Sequence, residues 1–219
     1  MTTLTPQTRA GAEDLARFAR RVARFEPEAV VRLLGGGRVV ACVAETPFDA
    51  LAIRATALAE PAPELDVVLE AQTLAARSVG ERGEIELPPA LPALRWTTSV
   101  PPRSGWELVH TLPTVDVVEA VAAGVQEFKS RAPAATEGMD RRAGRSVLEG
   151  LAAEIWERDL VAGTPLRLAH AATSYRFLPE EIDQAQGSVE IRHNGPWRRL
   201  DAAHGSVAAR GSGLALFAL

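Results

Sequence analysis

The sequence predicts an α+β protein: an N-terminal helix and a mostly antiparallel β-sheet, followed by a helical segment and a C-terminal helix-helix-hairpin module. Three observations carry this reading. Apolar residues recur at helical spacing near the start, around residues 115–128 and again between 147 and 177. Between residues 29 and 112, short β-branched runs alternate with proline and glycine, as antiparallel strands and their turns do. Near the C-terminus, Asn194-Gly195 separates two strand-like runs, and Asn-Gly is the pair that a primed hairpin turn needs.

In chain order, Leu15, Phe18, Val22 and Phe25 form one helical face opposite Arg17, Arg20, Arg21 and Arg24, and the helix ends near Pro27. That basic face reads as solvated charge, with an acidic partner or membrane surface as its functional counterpart. Gly35-Gly36-Gly37 then lies between Ala29–Leu34 and Arg38–Ala44 and is predicted to be a hairpin turn. A phosphate-cradling loop requires a helix after the glycines, whereas Val39, Val40, Cys42 and Val43 make a strand-like run. Residues 50–58 suit a strand, though their alanines leave helix open, and Pro61 and Pro63 are expected to break it. Residues 71–78 read as strand or short helix, with brief strands at 84–87 and 94–100.

Val115, Val118, Ala122, Val125 and Phe128 define the next helix, and the stretch from Arg131 to Asp140 is the expected connection. This divides the chain into an α+β domain over 1–131 and a helical plus hairpin part over 132–219, with a single domain as the alternative. In the second part Val147, Leu148, Leu151, Ile155, Trp156 and Leu160 make an apolar stripe. Thr164-Pro165 then reads as a capped helix start, and Pro179 as the stop. Strand-like runs at 187–193, 197–201 and 206–210 follow, and the apolar run Leu214–Leu219 calls for burial.

At 219 residues the chain is long enough to bury a core without staples, and its one cysteine excludes an internal disulfide. With no leader pattern and no apolar run near the length of a membrane span, the expected location is the cytoplasm, with no membrane partner. The net charge of −4 provides no global attraction to nucleic acid, so such binding rests on a local patch. Lys129 is the only lysine, a bias that points to a GC-rich bacterial source.

Chemistry-bearing motifs are sparse. The histidines His110, His170, His193 and His204 have no i, i+4 pair, and Cys-x-x-Cys is absent, so neither metal nor cofactor is expected. Asp201, His193 and His204 are the one conceivable ligand set, brought together if the hairpin forms. Cys42 sits in an apolar run and reads as a buried thiol. Gly211-Ser212-Gly213 lacks the context of a nucleophile elbow, and no catalytic residue is assigned.

Three functions follow in order of preference. The first is a binding or interaction protein, self-associating as a homodimer, whose ligand or partner loop carries Arg103, Ser104 and Trp106. The second is similar to a winged helix, with Arg167, Arg176, Arg192, His193, Arg198 and Arg199 contacting nucleic acid. The third is an enzyme or ligand sensor whose site is gathered from loops, drawing on Arg103, Ser104, His110, His193 and His204.

Overall fold

A computed structural model describes residues 2–77 and 79–211 and divides the chain into two compact units, Met1–Pro101 and Pro102–Leu219. The predicted apolar run Leu214–Leu219 and the bend at Ser212-Gly213 lie outside the described residues, as do Met1 and Ser78.

The first unit contains β1 (Thr3–Leu4), α1 (Arg9–Phe25), β2 (Val30–Thr46), β3 (Ala50–Glu70), α2 (Ala71–Ala75) and β4 (Ile85–Glu86). Helix α1 starts where Thr8 Oγ1 accepts from the Gly11 N–H at 3.0 Å, satisfying one of the orphan donors of the first turn. Its Leu15, Phe18 and Val22 are buried with Ala12, Ala16 and Ala19, whose small side chains let the helix approach its support closely. The opposite face leaves Arg17, Arg20 and Arg24 exposed.

Strands β2 and β3 form one long antiparallel hairpin, in register from Val30↔Glu70 to Thr46↔Ala50. The turn predicted at Gly35–Gly37 is therefore corrected: the chain runs straight through the glycines, and the reversal comes at residues 47–49, with Asp49 at φ 51. The glycines mark register shifts in the middle of β2, where Gly37 adopts φ 68. Nor do Pro61 and Pro63 end β3. Gly35 pairs with Leu65, Gly37 with Ala62 and Val39 with Ala57, so both prolines occupy positions that have no partner on β2 and need no ladder N–H. The strand expected over 94–100 is absent; Ala93–Arg95 is a single 3₁₀ turn, after which Trp96 is buried and its indole N–H donates to Thr98 O at 2.6 Å.

The second unit contains β5 (Glu107–Pro113), α3 (Thr114–Ala135), α4 (Arg141–Trp156), β6 (Asp159–Val161), β7 (Thr164–Pro165), α5 (Leu166–Ser174), β8 (Ser188–Asn194), β9 (Trp197–Ala202) and β10 (Gly205–Arg210). Four of its strands pair antiparallel in the order β5-β8-β9-β10. Val189, Ile191, Leu200 and Val207 form the buried face of this sheet, and Val117, Val121, Leu151, Ile155 and Leu168 are buried on the helices.

The helix-helix-hairpin module expected at the C-terminal end is overturned. Its hairpin is the middle of a sheet whose outer strand, β5, comes from before α3, and a separate small hairpin, β6–β7, intervenes between α4 and α5. Pairing across such a sequence distance leaves no local signal, which is why the hairpin read as free-standing. The winged-helix arrangement goes with it: α5 has only nine residues, and six of them, Arg167 included, are buried. Thr164 does not cap that helix either; it lies in β7, after a two-residue turn with Ala162 at φ 52 and Gly163 at φ 71. The connection expected over 131–140 is shorter, because α3 continues through Pro133 to Ala135, and residues 131 and 132 lie inside the helix.

Helices α3, α4 and α5 meet at Gly124. A Cβ there would stand 2.9 Å from the Trp156 ring and 3.3 Å from Ile155, and the Trp156 ring stacks on His170 at 4.0 Å. Gly124→Ala is expected to lose about 1–2 kcal/mol net, overpacking outweighing the ~1 kcal/mol that alanine gains in helix propensity; an unchanged denaturant midpoint contradicts this packing. On the outer surface, Glu127 accepts from Arg158 Nη2 at 2.8 Å and from Arg131 Nη1 at 2.7 Å, and both arginines also reach Glu154. Hydrogen bonds from Arg158 first and Arg131 second hold the Glu127 carboxyl down to about 2. A carboxyl lowered in this way adds stability above its unfolded pKa and loses it as pH falls toward about 2. Arg158→Ala should move the Glu127 midpoint up toward 4.5 in a carboxyl NMR titration, and an unmoved midpoint contradicts the network.

Candidate interaction surface

Strand β5 is the outer strand of the second unit's sheet. It pairs with β8 from Glu107↔His193 to Pro113↔Ser188, with a register shift between Leu108 and His110. Every one of its residues except Leu112 is exposed, among them Leu108 at 49% and Val109 at 37%. An edge strand offers a row of free backbone donors and acceptors, and β5 adds apolar side chains with only Glu107 as a full charge. The register shift and Pro113 are its only blunting features.

The loop that leads into β5 carries Arg103, Ser104 and Trp106, the predicted recognition residues. Its conformation is set by three contacts. The Trp106 indole N–H donates to Pro102 O at 2.8 Å, Asn194 Nδ2 donates to Ser104 O at 2.8 Å, and Gly105 takes φ 77. A Cβ on Gly105 would lie 3.1 Å from Asn194 Nδ2, so the close approach of loop to hairpin turn also favours glycine. Trp106 lies half-buried beneath the Arg199 guanidinium, 5.3 Å from ring centroid to Cζ, while Arg103 and Ser104 are exposed.

Arg199 leads into a polar cluster on the same sheet. Arg192 on β8 and Arg199 on β9 are Cα partners across the ladder; Asp201 accepts from Arg199 Nε at 2.6 Å and forms an ion pair with Arg192, whose Nε lies 3.2 Å from Asp201 Oδ2. Ser206 donates to Asp201 and accepts from Arg199 Nη2 at 3.1 Å, and Glu190 pairs with Arg192.

The residues of the nucleic-acid reading are thus dispersed in role. Arg192 is committed to Glu190 and Asp201 and Arg199 to Asp201, Arg176 pairs with Glu180 at 2.7 Å, and the buried Arg167 pairs with Glu157 at 2.7 Å. Arg198 donates to the backbone carbonyls of Gly195 and Trp197. His193 is its cross-strand partner, and burial together with the Arg198 charge lowers the His193 pKa against an opposing pull from Glu107. The set Asp201, His193 and His204 does not assemble, and among the described residues no three His, Cys, Asp or Glu side chains converge to hold a metal. Cys42 is fully buried, and burial pushes its thiol pKa up. Among the described residues no helix is long and apolar enough to cross a membrane. Sequence reasoning overlooked β5 as a surface; its apolar residues followed by proline were the available signal.

No curated protein matches the sequence. In fold, the chain is similar to the DNA polymerase sliding clamp from Pseudomonas aeruginosa (TM-score 0.52, 11% identity, covering 95% of this chain and 64% of that one). It is similar also to the sliding clamp from Caulobacter crescentus (0.51, 13%, 97% and 66%) and to the Helicobacter pylori beta clamp (0.52, 9%, 95% and 64%). The chain therefore spans just under two thirds of the length of these clamps, and at such identities the likeness is one of fold. Residues 1–98 match the family model Domain of unknown function (DUF8010), a range that falls within the first unit. Residues 101–214, more than half of the chain, match a second model, and the protein belongs to that family, Domain of unknown function (DUF8185).

Proposed function

We propose that this protein is a clamp-like interaction protein that works by binding and self-associates through the edge of β5. The observation that carries the reading is the exposed β5 edge with Leu108 and Val109 uncovered beside the anchored Trp106 loop. Pairing with β5 of a second copy satisfies the open backbone groups and covers the apolar side chains in one step. A strand pair alone is small beside a stable interface of about 1,600 Å², so the 102–106 loop belongs to the contact as well. In this reading Arg103, Ser104 and Trp106 are partner-binding residues. The protein works in a bacterial cytoplasm, and its arginine-for-lysine composition supports a bacterial source.

The likeness to DNA polymerase sliding clamps makes duplex DNA the partner to test, and one observation favours a surface for it. Arg17, Arg20 and Arg24 follow one another at helical spacing on the exposed face of α1. Arg17 is shared with Asp14 and Glu13, which leaves Arg20 and Arg24 as the stronger phosphate donors.

Two outcomes are expected. By light scattering on a sizing column, the wild-type chain runs as a dimer and Val109→Lys as a monomer with an unchanged melting midpoint; a wild-type monomer at every concentration overturns the self-association. Duplex DNA binds at low salt, and Arg20→Ala with Arg24→Ala weakens it and reduces the salt slope by about 2; undetectable binding at low salt, or an unaltered slope, removes DNA as the partner.

A further inference from the structure

In the second unit a cavity of about 530 Å³ lies where the C-terminal end of α5, the turn between β9 and β10 and the first residue of α3 meet. It is lined among others by Thr114, Arg176, Glu180, Glu181, Gln186 and His204, and its size suits a small ligand. Local contacts fix its walls. The Phe177 ring lies against Gly205, where a Cβ would stand 2.5 Å from it, so the turn bearing His204 is held to the end of α5. The Thr114 N–H donates to Gly187 O at 3.0 Å, which fastens the segment after Gln186 to the start of α3. Between them Ile182–Gln184 forms a 3₁₀ turn, and Gln184 Nε2 donates to Glu181 Oε2 at 2.8 Å.

Two lining residues are not explained by the fold alone. Arg176 follows the α5 C-cap at φ 62, its N–H donating to Thr173 O at 3.0 Å and the Phe177 N–H to Ala172 O at 2.8 Å. Glycine makes this helix ending without strain, and a residue with a Cβ is disfavoured there. The arginine's ion pair, Nη1 with Glu180 at 2.7 Å, joins two half-exposed side chains and adds little stability. Its Nε and Nη2 have no partner among the described residues, and neither is sealed from the cavity. Thr114 is only 5% exposed, yet its hydroxyl has no hydrogen-bond partner among the described residues and remains within reach of the cavity that the residue lines. Such a hydroxyl offers a donor and an acceptor to whatever enters.

The charges select the ligand. Glu180 answers Arg176, and Glu181 adds a second carboxylate, so a free anion is repelled. A simple cation satisfies Glu181 but leaves the donors of Arg176, Thr114 and Gln186 unanswered. A hydroxyl both donates and accepts, so neighbouring ring hydroxyls bond a carboxylate oxygen and a guanidinium N–H together. Pro179 and Ala203, neither of them buried, supply apolar wall for the C–H face of such a ring. We propose that this cavity binds a neutral cyclic polyol, a sugar of one or two rings, its hydroxyls shared among Arg176, Thr114, Glu180 and Glu181. No residue of β5 takes part, and the site does not depend on self-association.

The test is an NMR titration of the full chain with glucose, galactose, mannose, maltose and myo-inositol, and with sodium acetate and methylammonium chloride at constant ionic strength. It follows the Arg176 Nε–H and the Thr114, His204 and Gly205 amides. At least one of the five polyols shifts all four signals saturably with a midpoint below about 20 mM, and neither ion does so. Thr114→Val keeps the shape, removes the hydroxyl and weakens that polyol about tenfold. Arg176→Gly weakens it to a similar extent with no loss of melting midpoint, because glycine relieves the strained backbone. The proposal is overturned if none of the five polyols gives a saturable shift, or if acetate or methylammonium binds as tightly as the best of them. It is equally overturned if either variant binds that polyol as the wild type does.

Discussion

Asp201 resolves a conflict that the strand register creates. Antiparallel pairing of β8 with β9 puts Arg192 and Arg199 directly across from each other, an arrangement that repels. The Asp201 carboxylate accepts from Arg199 and forms an ion pair with Arg192, and Ser206 on β10 closes the cluster, so one carboxylate ties three strands. The consequence reaches the candidate surface. Arg199, held by Asp201, lies over Trp106, and Asn194 at the end of β8 holds Ser104, so the loop entering β5 inherits its position from the hairpin. The edge strand is presented by a braced sheet, and the Trp106 loop beside it is anchored at both Pro102 and Ser104.

The same economy of polar contacts separates the surfaces that are free to bind from those that are not. Arg192, Arg199, Arg176 and Arg167 each form an ion pair with a carboxylate, whereas β5 leaves the apolar side chains of Leu108 and Val109 uncovered. The strand edge lies in the second unit, the region that the DUF8185 model covers.

Local features of the sequence were the readable ones. The amphipathic pattern of α1 and the apolar stripe of α3 follow from 3.6-residue periodicity, and Asn194-Gly195 marks a turn because few other pairs tolerate its backbone. What misled was punctuation without register. Gly35–Gly37 read as a turn and Pro61 and Pro63 as breaks, yet all fall where the β2–β3 ladder is interrupted, so the two irregularities accommodate each other across the hairpin. The pairing of β5 with β8 was not readable at all, since it joins residues on either side of three helices. Of the candidate site, Trp106 could be singled out by residue type, but its cover by Arg199 and the open edge that follows it depend on that same non-local pairing.

The central claim is that the β5 edge is covered by a second copy of the chain. Hydrogen exchange of the backbone amides from Leu108 to Leu112, measured over a wide range of protein concentration, tests it most directly. The account predicts that the amides not bonded to β8 exchange fast in dilute solution and become protected as concentration rises, in step with the apparent mass. Fast exchange of those amides at every concentration, with the rest of the sheet protected, would contradict it.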